Sequence, residues 1–232
     1  MSFVTDHPIN GKYPAEDPDI LQLYAFPTPN GVKVSIMLEE IGLPYEAHLV
    51  GLSDAEVKSP EFLALNPNNK IPAIIDPNGP DGEPVALFES GAILIYLAEK
   101  TGKLIGKTTA DKARVIQWLM FQMGNVGPMF GQLGFFYKFA GCDIKDPRPR
   151  ERYINEAKRL LNVVNQQLEG QDWIAGDYSI ADIALAPWLG ALDFYEATEV
   201  VGMSDFPHVT AYIERFLARP AVQKGRNTPP RP

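Results

Sequence analysis

The hydrophobic pattern of this chain changes period once, near residues 102–110, and that change limits the available folds more than any single motif. Before it, short apolar runs alternate with helical stretches. Ile20–Phe26 (ILQLYAF) predicts a strand, and Gly31–Ile41 (GVKVSIMLEEI) predicts a helix stopped by Gly42. Pro44–Leu49 predicts a second strand and Pro60–Leu65 a short helix. Ala73–Ile75 and Val85–Phe88 read as two strands joined across the turn-rich DPNGPDGE. Ser90–Lys100 closes the region as an amphipathic helix ending near Gly102. The order βαβ, short helix, ββ, α implies a parallel opening with an antiparallel edge.

After about Leu104 the strand signals stop. Ala110–Phe139 carries a helical pattern, with a kink expected at Gly127-Pro128 because proline removes a helix hydrogen bond. In Pro149–Leu168, Ile154, Ala157, Leu161, Val164 and Leu168 form a stripe that faces a helix partner. Ser179 and Asp182 resemble a capping box, and a last helix is expected from about Phe206 to Leu217. The expected organisation is therefore an extended arm over 1–19, an α/β unit over 20–102, a linker over 103–110 and an all-helical unit over 111–232. The arm holds three prolines and few large apolar groups, so it either frays or packs on a partner subunit. The tail NTPPRP is expected to be loose.

Composition narrows the function. The chain has 232 residues and a net charge of −8 without a basic run, which argues against nucleic acid as a partner. No apolar stretch is long enough to cross a membrane, and the first twenty residues lack the pattern of a secretory leader. A single cysteine, Cys142, precludes an internal disulfide and fits a reducing cytoplasm. There is no C-x-x-C, no phosphate-binding glycine loop, and no metal-ligand spacing among the three histidines, so no metal is expected. With so little reactivity in its own side chains, the chain would depend on a bound reagent.

Three short segments could hold one. At Asn69-Lys70-Ile71-Pro72, a cis peptide before a strand would leave the Ile71 N–H and C=O available to an extended peptide; an ordinary trans loop is the alternative. At Glu89-Ser90, a helix start could bind a carboxylate while Glu89 pairs with an adjacent ammonium; simple N-capping is the alternative. In the turn Pro27–Gly31, Thr28 and Asn30 could face a sulfur or serve as caps. In such a sheet these three segments line one end.

These residues resemble the glutathione transferase superfamily. The landmarks are N-K-I-P-A at 69–73, L-F-E-S-G-A-I-L-I-Y-L-A at 87–98 and Y-S-I-A-D-I-A at 178–184. T-P-N-G at 28–31, G-P-M-F-G-Q at 127–132 and E-R-Y at 151–153 are similar to the Nu-class branch of glutathione-dependent disulfide-bond reductases. The resemblance implies a thioredoxin-like α/β N-terminal domain followed by an all-α domain, in a homodimer. It implies that Ile71 and Pro72 hold the cysteinyl backbone of glutathione and that Glu89 and Ser90 hold its γ-glutamyl end. Lys58 or a neighbour would reach the glycine carboxylate. Thr28 and Asn30 would face the sulfur, and Gln132 and Arg152 would approach the sulfur or a second glutathione. A free thiol has a pKa of about 8.5, and preorganised neutral donors lower it by binding the thiolate. The expected activity is glutathione-dependent disulfide reduction; conjugation of glutathione to electrophiles, or a non-enzymatic scaffold, are the other readings. Phe135, Phe136, Tyr137 and Phe139 either line an apolar substrate pocket or simply pack. Cys142 is expected to be a partly buried bystander, and Tyr24 a core residue.

Overall fold

The computed structural model describes residues 2–231, the side chain of Asp81 apart. The chain divides into two compact units. One runs to Lys103 and takes in the C-terminal residues from Pro220; the other spans Leu104–Arg219.

The first unit begins with α1 (Phe3–Asp6) and a 3-10 turn (Pro8–Gly11). It continues through β1 (Leu21–Ala25), α2 (Gly31–Ile41), β2 (Tyr45–Leu49), α3 (Asp54–Val57) and α4 (Pro60–Leu65). β3 (Ala73–Asp76), β4 (Val85–Phe88) and α5 (Ser90–Thr101) complete it. The sheet order is β2-β1-β3-β4, with β1 parallel to β2 and antiparallel to β3. Tyr24 pairs with Ala73, and Ala73 pairs with Phe88. That one row across three strands places the segment after β1, the segment before β3 and the segment after β4 beyond the same edge of the sheet.

Residues 2–19 do not form the expected extended arm. Ser2 caps α1 in a capping box with Thr5, and Val4 and Ile9 are fully buried. They join a cluster with Tyr24, Val57, Phe62, Leu65 and Ile71, against which Tyr13 also packs. Tyr13 Oη donates to Glu56, and Lys12 Nζ donates to the Ala55 carbonyl at 2.8 Å. A four-residue helix is too short to show a periodic stripe, so these contacts leave no pattern in the sequence.

The second unit contains α6 (Thr109–Phe121), α7 (Gly127–Tyr137), α8 (Arg148–Gln167), α9 (Ile180–Phe194) and α10 (Pro207–Leu217). The break expected at Gly127-Pro128 takes the form of a π-helical turn, Gln122–Val126, after which α7 starts afresh with proline in its first turn. Ala157, Leu160, Leu161 and Val164 form the buried stripe of α8. Ser179 and Asp182 make the capping box of α9. No described helix is long and apolar enough to cross a membrane.

The chain then returns to the first unit as α11 (Pro220–Gly225), which packs on α2. Gly225 lies so close that a Cβ there would come within 2.5 Å of Ile36 Cα. Ser35 Oγ donates to the Gly225 carbonyl at 2.7 Å, Pro229 is buried, and Arg231 donates to the Pro27 carbonyl at 3.0 Å. The expectation of a loose tail is corrected accordingly. Arg231 is anchored on the carbonyl of a distant turn, which the residue types in NTPPRP do not disclose.

Candidate functional site

The turn between β1 and α2 is built around Thr28. Its Oγ1 accepts the Gly31 N–H at 3.1 Å, and its carbonyl accepts the Val32 N–H at 3.0 Å. With the hydroxyl already acting as an acceptor for the backbone, its proton is left to donate elsewhere. Asn30 occupies the N-cap position of α2 but makes no side-chain capping bond. Thr28 thus takes the capping role that Asn30 was a candidate for. Both are half-buried. Gly31 is required sterically, because a Cβ there would sit 1.8 Å from the Phe26 carbonyl oxygen.

The Ile71-Pro72 bond is cis, the first of the two readings of this segment. The β3 ladder begins only at Ala73, so Ile71 stands two residues outside it, and its side chain is buried in the core beneath. The preceding loop is pinned by Asn66, a residue that the sequence reading did not single out. Asn66 Nδ2 donates to the Lys70 carbonyl at 2.5 Å, and its Oδ1 accepts the Asn68 N–H at 2.9 Å. Asn66 is almost fully buried. Its place in a run dense in asparagine and proline was the available signal.

Glu89 links β4 to α5 with φ of 71°, a left-handed conformation that few non-glycine residues adopt. Its side chain is exposed, whereas Ser90, the first residue of α5, is 3% exposed. Behind Ser90 lies a second residue that the sequence analysis does not name. Lys33, in the first turn of α2, is fully buried, and its Nζ is 3.3 Å from Ser90 Oγ. Burial pushes the Lys33 ammonium down to about 7, against the opposing pull of the Glu89 carboxylate. The signal was present: the lysine's neighbours Val32 and Val34, and Ile36 and Met37 one turn on, are all apolar.

The other predicted residues are placed as follows. Lys58 ends α3, is exposed and pairs with Asp54 at 2.8 Å. Gln132 on α7 and Arg152 on α8 are exposed and belong to the second unit. Phe135 and Phe139 are exposed, and Phe136 stacks on Tyr153 with ring centroids 5.5 Å apart. Cys142 is half-buried and also belongs to the second unit. Tyr24 is fully buried and stacked on His48, and burial raises its hydroxyl pKa, so it is a core residue. Among the described residues no group of three or more His, Cys, Asp or Glu could hold a metal ion.

Comparison with known proteins identifies the family. The model of the glutathione S-transferase N-terminal domain matches residues 20–99, and that of the C-terminal domain matches residues 148–220. The chain is 45% identical over 205 residues to the disulfide-bond oxidoreductase YfcG of Escherichia coli, covering 88% of this chain and 93% of that one. It is 39% identical over 226 residues to the disulfide-bond oxidoreductase YghU of the same organism, covering 93% and 75%. A glutathione transferase from Burkholderia graminis, solved with two glutathione molecules per subunit, superposes with a TM-score of 0.97 at 62% identity, covering 100% and 98%. A glutathione transferase from Pseudomonas putida, solved with one glutathione disulfide per subunit, gives 0.96 at 56%, covering 99% and 100%. With both domain models matched in their expected order and relatives aligned along most of its length, the chain belongs to the glutathione S-transferase family.

Proposed function

We propose that this protein is a glutathione-dependent disulfide-bond oxidoreductase that takes its reactive sulfur from bound glutathione. The observation that carries the reading is the convergence of Thr28 and Asn30, Ile71-Pro72, and Glu89-Ser90 beyond the Tyr24–Ala73–Phe88 row, while the chain's one cysteine belongs to the other unit. The names of the two bacterial relatives and the ligands of the two solved neighbours support it.

In this reading the cysteinyl residue of glutathione lies along Ile71 as an added strand, with Pro72 shaping the bend. The α-carboxylate of its γ-glutamyl end meets Ser90 and the N–H groups opening α5, and the neighbouring ammonium meets Glu89. Lys58 exchanges its exposed partner Asp54 for the glycine carboxylate, an exchange that is inexpensive because exposed pairs contribute about 0–1 kcal/mol. Thr28 and Asn30 donate to the sulfur and favour the thiolate. The thiolate attacks one sulfur of a substrate disulfide; the glutathionyl–substrate disulfide forms and the other substrate sulfur leaves as a thiolate that takes up a proton. A second glutathione, held with the help of Gln132 and Arg152, then attacks the glutathione sulfur of that mixed disulfide. Two glutathiones and one disulfide thus become one glutathione disulfide and two thiols. We further place the protein in the Nu-class branch, as a cytoplasmic homodimer; T-P-N-G at 28–31 supports the branch, and the resemblance supports the dimer.

The test is turnover of hydroxyethyl disulfide by purified protein and glutathione, set beside turnover of chlorodinitrobenzene. Faster disulfide turnover is expected. Strong activity on chlorodinitrobenzene alone would make the protein a conjugating transferase. Inactivity on both, with no glutathione binding, would leave a scaffold.

A further inference from the structure

Lys33 has no part in the chemistry just described, yet it is fully buried and its Nζ stands 3.3 Å behind the hydroxyl of Ser90. An ammonium carries three donors and no acceptor, so at this contact Ser90 Oγ is the acceptor. The Ser90 proton is then directed to another acceptor, and a ligand carboxylate at the start of α5 is one. Glu89, next to Ser90, is held in a left-handed conformation with its side chain exposed. The start of α5 alone presents about half a unit of positive charge, whereas a protonated lysine behind it adds a whole one in a medium that screens poorly.

We propose that Lys33 is the positioning residue for the γ-glutamyl α-carboxylate of glutathione: through Ser90 it fixes the hydroxyl as a donor and supplies the charge that matches the carboxylate, leaving Glu89 for the ammonium. The inference rests on the reading of Glu89-Ser90 as the γ-glutamyl site. Burial already pushes the Lys33 ammonium down to about 7, and an arriving carboxylate opposes that shift, so carboxylate and proton stabilise one another.

Two analogues of glutathione separate the roles: glutaryl-Cys-Gly keeps the carboxylate and lacks the amine, and 4-aminobutyryl-Cys-Gly keeps the amine and lacks the carboxylate. Dissociation constants are measured by calorimetry for wild type, Lys33→Met and Ser90→Ala, with circular dichroism to check folding. Lys33→Met is expected to weaken glutathione and the glutaryl peptide about tenfold, and the aminobutyryl peptide less than twofold. Ser90→Ala, which leaves the lysine in place, should lose affinity with the same carboxylate-specific pattern. Equal weakening of all three peptides in Lys33→Met, or none, overturns the proposal. If that variant does not fold, Ser90→Ala with wild-type ratios among the three peptides overturns it instead. Wild type that binds no glutathione sinks the function itself; wild type that binds, with Lys33→Met unaffected, sinks only the role of Lys33.

Discussion

Lys33 in the first unit and Asp182 in the second are both fully buried and charged by type, yet their surroundings differ in kind. Asp182 accepts from the Ile174 and Ser179 N–H groups at 2.9 Å each, from Ser179 Oγ at 3.1 Å and from Tyr212 Oη at 3.0 Å. Those partners tie the loop before α9 to α9 and α10, so the carboxylate serves the fold. Lys33 instead stands behind Ser90, beside a strained and exposed glutamate at a helix start. Burial of a charge therefore does not by itself mark a working site. The partners of Asp182 all belong to the fold, whereas the proposed site adds an exposed glutamate at a helix start.

The largest expected effect breaks the closed set. Asp182→Ala leaves several buried donors without an acceptor and should cost about 3 kcal/mol of stability in denaturant unfolding. Glutathione affinity of the protein that remains folded should be unchanged. Wild-type stability with lost disulfide turnover would reverse the contrast.

Next is the proposed sulfur site. Asn30→Ala should lower kcat for hydroxyethyl disulfide by about tenfold to a hundredfold, with the glutathione KM changed by no more than about twofold. Unchanged turnover would mean that Asn30 does not face the sulfur.

The two buried groups should also give stability slopes of opposite sign. Burial raises Asp182 from 3.8 to about 6, so between these values the folded state holds a proton that the unfolded state has released. Its contribution to stability therefore falls as pH rises from about 4 to 6. Lys33 is lowered from 10.5 to about 7, so the unfolded state binds the extra proton and the contribution of Lys33 rises with pH across that window. Wild type minus Asp182→Asn should decline over the first window, and wild type minus Lys33→Met should climb over the second. Parallel slopes would show that the two are not opposites.

The smallest effect concerns the C-terminal stitch. Arg231→Ala removes one bond from an exposed guanidinium to the Pro27 carbonyl, and should cost less than about 1 kcal/mol in thermal unfolding. A larger loss would make the tail a principal support of the β1–α2 turn.

Much of this was legible in the chain itself. The α4 span, the β3–β4 hairpin and the start of α5 follow from turn residues, apolar runs and caps that act over a few positions. Thr28, Asn30, Ile71, Glu89 and Ser90 were legible as turn and cap residues, and the register of Tyr24, Ala73 and Phe88 brings their segments to one edge. What escaped was packing without periodicity. Val4 and Ile9 are single apolar residues among prolines, and α11 is held to α2 largely by the close approach of Gly225. Lys33 escaped because a lysine is ordinarily read as a surface residue.

By itself the sequence determined the order of elements from β1 to α5, the caps of α4 and α9, the passage from an α/β unit to a helical one, and the presence of a single thiol. These depend on interactions within one or two turns of the chain, where residue type and spacing decide the outcome. The tertiary structure alone decided that Lys33 meets Ser90 across 57 positions and that Arg231 reaches Pro27 across 204. Contacts so distant along the chain follow from strand register and helix packing, and no local preference at either end encodes the partner.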